Sequence, residues 1–217
     1  MATVQVFALP NTLYRYRSLA NLDREMETLE QSYIYCGEYS KLNDPMEGFF
    51  ELSGTLAKTP TSRSVRQAIA DMTASVGISS FCEAHANELM WAHYADQFRG
   101  ICIAYNFRRL LVELPDDVYF TRMHYTERIP VVGVSRQEPD NLAKRVLSYK
   151  NYRWGYEREW RMFGPKGKVP YTTREAIRHV YLGYRATDAE RTQVETRLGA
   201  ANIPVKAMSL SGYSIQF

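Results

Sequence analysis

The chain has 217 residues, 45% of them hydrophobic and 13% aromatic, enough to bury a core, which excludes a disordered chain. Its longest apolar runs, GICIAY at 100–105 and IPVVGV at 129–134, fall well short of the ~20 apolar residues that a spanning helix needs, so a membrane partner is not expected. The net charge of +3 conceals a division: residues 1–143 carry 13 Lys and Arg against 18 Asp and Glu, whereas 144–197 carry 13 against 6. That basic region could meet the phosphates of a nucleotide or a nucleic acid, or could form a solvated face.

The first residues lack the basic start and apolar stretch of a secretory signal. Cys36, Cys82 and Cys102 are too few and too scattered for a disulfide framework or a zinc site. Both features predict a cytoplasmic protein. Nothing resembling a linker or a repeat interrupts the chain, which reads as one domain over 1–217.

In chain order, β-branched and aromatic runs bounded by Gly, Asn or Pro predict strands at Gln5–Ala8, Tyr33–Cys36, Ile78–Cys82, Ile101–Tyr105 and Val118–Tyr125. Further strands are predicted at Arg158–Phe163, His179–Leu182, Pro204–Ser209 and Ser214–Phe217. Between them, apolar residues at helical spacing mark helices over 21–31, 62–75, 86–98 and 140–150. Thr187 and Glu190 form a capping box for a helix over 187–198, and Thr172 with Glu175 would cap a shorter one. Helices and strands do not alternate strictly. The expected fold is therefore α+β, a mixed, mostly antiparallel sheet with flanking helices.

Five segments mix aromatic and charged residues. LYRYRS at 13–18, if extended, puts Arg15 and Arg17 on one face and Tyr14 and Tyr16 on the other. The arginines either serve a site or pair with Glu47 or Glu83. KLNDPMEGF at 41–49 is a turn followed by Glu47, and ISSFCE at 78–83 is a small-residue strand. In the helix 86–98, Trp91 and Tyr94 suit the core, while His93 with Asp96 is either an oriented acid–base pair or an ordinary hydrogen-bonding pair. WGYEREWR at 154–161 places Glu157 and Glu159 on one face of a strand, which is costly unless they are paired, solvated or functional. The sequence carries no HExxH, P-loop, GxGxxG or GxSxG motif.

In that order, LYRYRS, LNDPMEG, ISSFCE, LMWAHYAD…GICIAY and WGYEREWR resemble an uncharacterised bacterial domain family, known chiefly as a domain of unknown function, over about residues 13–183. The order of elements also resembles the toxin-type ADP-ribosyltransferases that modify nucleic acid. YRYRSLANL stands for their first strand and helix, YIYC for a short aromatic strand, Ile78-Ser79-Ser80-Phe81 for the Ser-Thr-Ser strand, and Glu157-Arg158-Glu159 for the catalytic strand. This second resemblance implies NAD as substrate and a nucleic acid or protein acceptor, with an antitoxin as a possible further partner. Glu159 would stabilise an oxocarbenium-like ribose, and Glu157 would orient or deprotonate the acceptor. Arg15 or Arg17 would hold NAD oxygens, with Tyr33 or Tyr35 stacking on nicotinamide and Ser79 and Ser80 beside it. His93 is a further catalytic candidate. Two other readings stay open: a nucleic-acid-binding defence module without NAD chemistry, and a metal-independent hydrolase or nuclease using His93 with a glutamate.

Overall fold

The computed structural model describes residues 9–134 and 138–217. The strand expected at Gln5–Ala8 lies outside them. The fold is α+β, with mixed, mostly antiparallel sheets and flanking helices. The chain divides into two compact units, one comprising Met1–Ser32, Cys82–Leu114 and Tyr171–Phe217, the other Tyr33–Phe81 and Pro115–Pro170. Among the described residues no helix is long and apolar enough to cross a membrane.

In the first unit, the strand Ile101–Asn106 is the centre of the sheet. It pairs antiparallel with Thr12–Arg17, Arg15 opposite Ile103, and with Ile177–Leu182, Val180 opposite Ile103. Val205–Ala207 extends the sheet in parallel, and Ser209–Ser211 forms a hairpin with Ser214–Gln216. Ile101 through Tyr105 are fully buried, as a strand covered on both faces must be. The helix Asp188–Ala200 begins with the expected Thr187–Glu190 capping box. Thr172 and Glu175 do not cap a helix: the turn Arg174–Ala176 starts after Thr173, whose N–H and hydroxyl instead donate to Glu113.

The helix expected over 86–98 is shorter, spanning Glu88–Tyr94. Asp96, Gln97 and Phe98 then all adopt positive φ. Such a run is strained for non-glycine residues. It persists because the Gln97 and Phe98 amides donate back to Ala92 O and Trp91 O, and the Arg185 amide donates to Phe98 O. Gly183 passes so near this turn that a Cβ there would lie 2.2 Å from Phe98 O.

The second unit is built on the strands Gly167–Pro170, Tyr33–Glu38, Gly77–Cys82, Glu159–Gly164 and Tyr119–Arg122, adjacent in that order. These strands pair antiparallel, with Val169 opposite Ile34, Gly37 opposite Ile78 and Trp160 opposite Arg122. Beside this sheet, His124–Thr126 pairs in parallel with Tyr149–Asn151, and Glu51–Leu52 with Val131–Val132. The strand expected over Val118–Tyr125 is thus two strands, Tyr119–Arg122 and His124–Thr126. Helix 140–150 is Pro139–Val146, and Tyr149–Asn151 is extended. Leu142, Ala143 and Val146 from that helix pack with Leu56, Ile69 and Val132.

Candidate functional site

The sharpest feature of the second unit is a buried group of five charged side chains: Glu47, Lys150, Glu157, Glu159 and Arg161. Glu47 is delivered by the Asn43-Asp44-Pro45 turn. Asp44 Oδ1 accepts from the Met46 amide at 2.9 Å, and the Tyr39 hydroxyl donates to Glu47 O at 2.6 Å. Gly48 follows with φ +77°, where a side chain would collide with the Tyr39 ring, so the bend requires glycine twice over.

The two glutamates of WGYEREWR arrive differently from the expected regular strand. Glu157 closes the 3-10 segment Tyr152–Glu157, Arg158 turns left-handed at φ 46°, and Glu159 opens the strand Glu159–Gly164. Both carboxylates nevertheless reach the same ammonium. Lys150 Nζ lies 2.6 Å from Glu157 Oε2, 3.3 Å from Glu159 Oε2 and 3.3 Å from Glu47 Oε1. Arg161 donates from Nε and Nη2 to Glu159 Oε1 at 3.0 and 2.9 Å, and from Nη1 to Leu147 O at 2.7 Å. Its Nη1 also stands 2.6 Å from Glu47 Oε2. The Glu159 amide donates to the Tyr125 hydroxyl at 2.7 Å.

Formally, three carboxylates face two cations. Burial pushes the Glu159 carboxyl up, but Arg161, Lys150 and a hydrogen bond with Ser80 outweigh it and hold it below the usual carboxylate range. Burial alone would lower Lys150, yet Glu159, Glu47 and Glu157 raise it well above an ordinary lysine. Lys150 is therefore held as a cation and Glu159 as a carboxylate at neutral pH.

The group is not sealed. Ser80, the hydroxyl partner of Glu159, is exposed between the buried Ser79 and Phe81. Gly37 opposite Ile78 carries Tyr35 and Ser80 onto the same face of their strand pair, and Tyr35 is 47% exposed. On another side, Lys150 lines a pocket of about 110 Å³ with Asp44, Phe49, Arg128 and Asn151.

The other expected residues fall as follows. Tyr33 is buried beneath Lys168, whose Nζ is 4.6 Å from the ring centre. Ser79 is buried, and its hydroxyl has no hydrogen-bond partner among the described residues. Arg15, Arg17 and His93 belong to the first unit. Arg17 pairs in a fork with Glu25, at 2.7 Å from both Nε and Nη2, so for Arg17 the acid is Glu25 and not the expected Glu47 or Glu83. Glu47 and Glu159 have Lys150 and Arg161 as their cations, and Glu157 has Lys150. Trp91 is fully buried, as expected, and its indole donates to His85 O at 2.7 Å. His93 is exposed on the last turn of its helix, and Asp96 lies beyond the helix in the left-handed turn, so they are not partners along one helical face.

Lys150 was not legible as a site residue. The available signal was stoichiometric: buried glutamates demand cations, and Lys150 and Arg161 flank the Glu-Arg-Glu segment.

Residues 90–162 match the model of a family described as "Protein of unknown function (DUF2971)". The matched stretch includes Lys150, Glu157, Glu159 and Arg161, and it supports placement in an uncharacterised domain family. No curated protein and no solved structure matches the chain.

Proposed function

We propose that the second unit cleaves NAD at Glu159 and transfers ADP-ribose to a nucleic acid or protein acceptor. The observation that carries this reading is the exposed Ser80 beside the buried Glu159 carboxylate, on the same face as the exposed Tyr35. A planar nicotinamide stacks on Tyr35, and the adjoining ribose meets Ser80 and the carboxylate behind it. The C1′–N bond breaks with its electron pair leaving on nicotinamide. The cationic sugar is stabilised by the carboxylate, and the acceptor nucleophile adds at C1′ and loses its proton to solvent. Glu157 is a positioning residue in this scheme, because it holds Lys150 at 2.6 Å and Lys150 holds Glu159. No step is assigned to Arg15, Arg17 or His93. Such chemistry suits a toxin or phage-defence effector, restrained by an antitoxin partner. The three cysteines are buried and free, which fits a reducing cytoplasm.

The test is nicotinamide release and acceptor labelling by wild type, Glu159→Gln and Ser80→Ala. Removing the charge at Glu159 should lower turnover roughly 100–1,000-fold, the usual scale for a preorganised electrostatic group. Ser80→Ala, at an exposed position, should lower turnover with only a small fall in melting temperature, because Lys150 and Arg161 still hold Glu159. Wild-type protein that consumes no NAD with any protein, DNA or RNA acceptor would end the proposal.

A further inference from the structure

We propose that a second pocket of this unit, bounded by His124, Lys144, Arg145 and Tyr149, binds the phosphate and base of a nucleotide. The pocket holds about 370 Å³, within the range of small-ligand sites. It is formed by the end of the helix Pro139–Val146, the strand Tyr119–Arg122 and the parallel pair His124–Thr126 with Tyr149–Asn151. Its lining supplies a lysine, an arginine, an imidazole and aromatic rings, and no carboxylate among the described residues.

The charge balance favours an anion. Lys144 is spoken for in part, with Asp140 Oδ2 at 2.7 Å and the Tyr119 ring centre at 3.8 Å. The helix end contributes about half a negative charge. Arg145 has no ion-pair partner among the described residues and is exposed, so its full positive charge exceeds that half charge. A planar guanidinium suits phosphate oxygens, which it can bind in a fork. The His124 and Tyr149 rings lie 5.3 Å apart, tilted by 30°, and offer aromatic faces against which a base can stack. The site opens the basic region 144–197 and gives its charge a location.

A free mononucleotide and a single strand present the same phosphate and base, and two probes separate them. Binding of 5′-AMP is measured by calorimetry, and binding of a short single-stranded oligonucleotide by fluorescence anisotropy across a salt series. A strand site gives tighter oligonucleotide binding, with a log–log salt slope of about −0.7 per phosphate engaged. A mononucleotide site gives equal affinity for the two probes. In either case Arg145→Glu, at an exposed position, should weaken binding roughly tenfold or more with an unchanged melting temperature. His124→Ala should weaken it without altering the salt slope. The inference is overturned if neither probe binds wild type at low salt, or if both variants bind as wild type does. The readout is binding alone, so nicotinamide release can fail while this site stands, and the reverse.

Discussion

Replacing Lys150 by Met should destabilise the protein more than any loss of area explains. Methionine matches the aliphatic length of the lysine, so packing is largely kept. What disappears is the one ammonium shared by Glu47, Glu157 and Glu159, at 3.3, 2.6 and 3.3 Å. Arg161 remains, but its contacts go to Glu159, Glu47 and Leu147 O. Breaking a buried pair from one side typically costs about 3–5 kcal/mol. For a chain of this size each kcal/mol lowers the melting temperature by roughly 2–4 °C, so the fall should be on the order of 6–20 °C. The pH dependence follows from the directions of the shifts. Glu159 lies below its ordinary 4.5 in the folded protein, so its stabilisation is present above that value and is lost as pH falls through the folded one. Lys150 lies above its ordinary 10.5, so its stabilisation is present below that value and is lost only in strong alkali. Without Lys150 the Glu159 carboxyl should protonate more readily, so the gap between wild type and variant should narrow as pH falls through the carboxylate range. Urea unfolding followed by tryptophan fluorescence at several pH values measures this. The double variant Lys150→Met/Glu157→Gln should recover part of the loss, since it removes one of the carboxylates that shared the ammonium. A Lys150→Met protein within about 1 kcal/mol of wild type at pH 7, against the 3–5 kcal/mol of a broken buried pair, would refute the reasoning.

Two glycines should respond oppositely to alanine. At Gly183 the new Cβ would meet Phe98 O at 2.2 Å and Gly100 O at 2.9 Å, both backbone atoms, so thermal unfolding should show a loss of about 1–3 kcal/mol or more. At Gly199, inside the helix Asp188–Ala200 with nothing within 4 Å, the same change should stabilise by about 0.5–1 kcal/mol. His179 gives a separate acid dependence. Burial, with Lys206, His85 and Arg178 nearby, lowers it from 6.5 to about 4. The unfolded chain therefore binds the proton first, and stability should decline as pH falls from 6.5 toward 4. His179→Gln should flatten that decline in a pH series of melting temperatures.

Much of the secondary structure was legible because local chemistry decides it. The Thr187–Glu190 capping box starts its helix, Asp44 and Pro45 make a turn, and GICIAY forms a strand buried on both faces. The fold class followed from the irregular order of those elements, and Trp91 was recognisable as core. The sequence also marked Glu157 and Glu159 as too costly to bury unpaired. Tertiary structure alone decided their partners. Lys150 stands seven positions before Glu157, and Glu47 is brought in from more than a hundred positions away, a choice governed by chain path and not by spacing. The left-handed residues Asp96 to Phe98 and Arg158 were likewise invisible. None is glycine, and each conformation is maintained by the hydrogen bonds and packing around it, not by its own preference. Local propensity is written residue by residue along the chain. The pairing of a buried charge is written only in three dimensions, where low dielectric makes the nearest opposite charge decisive.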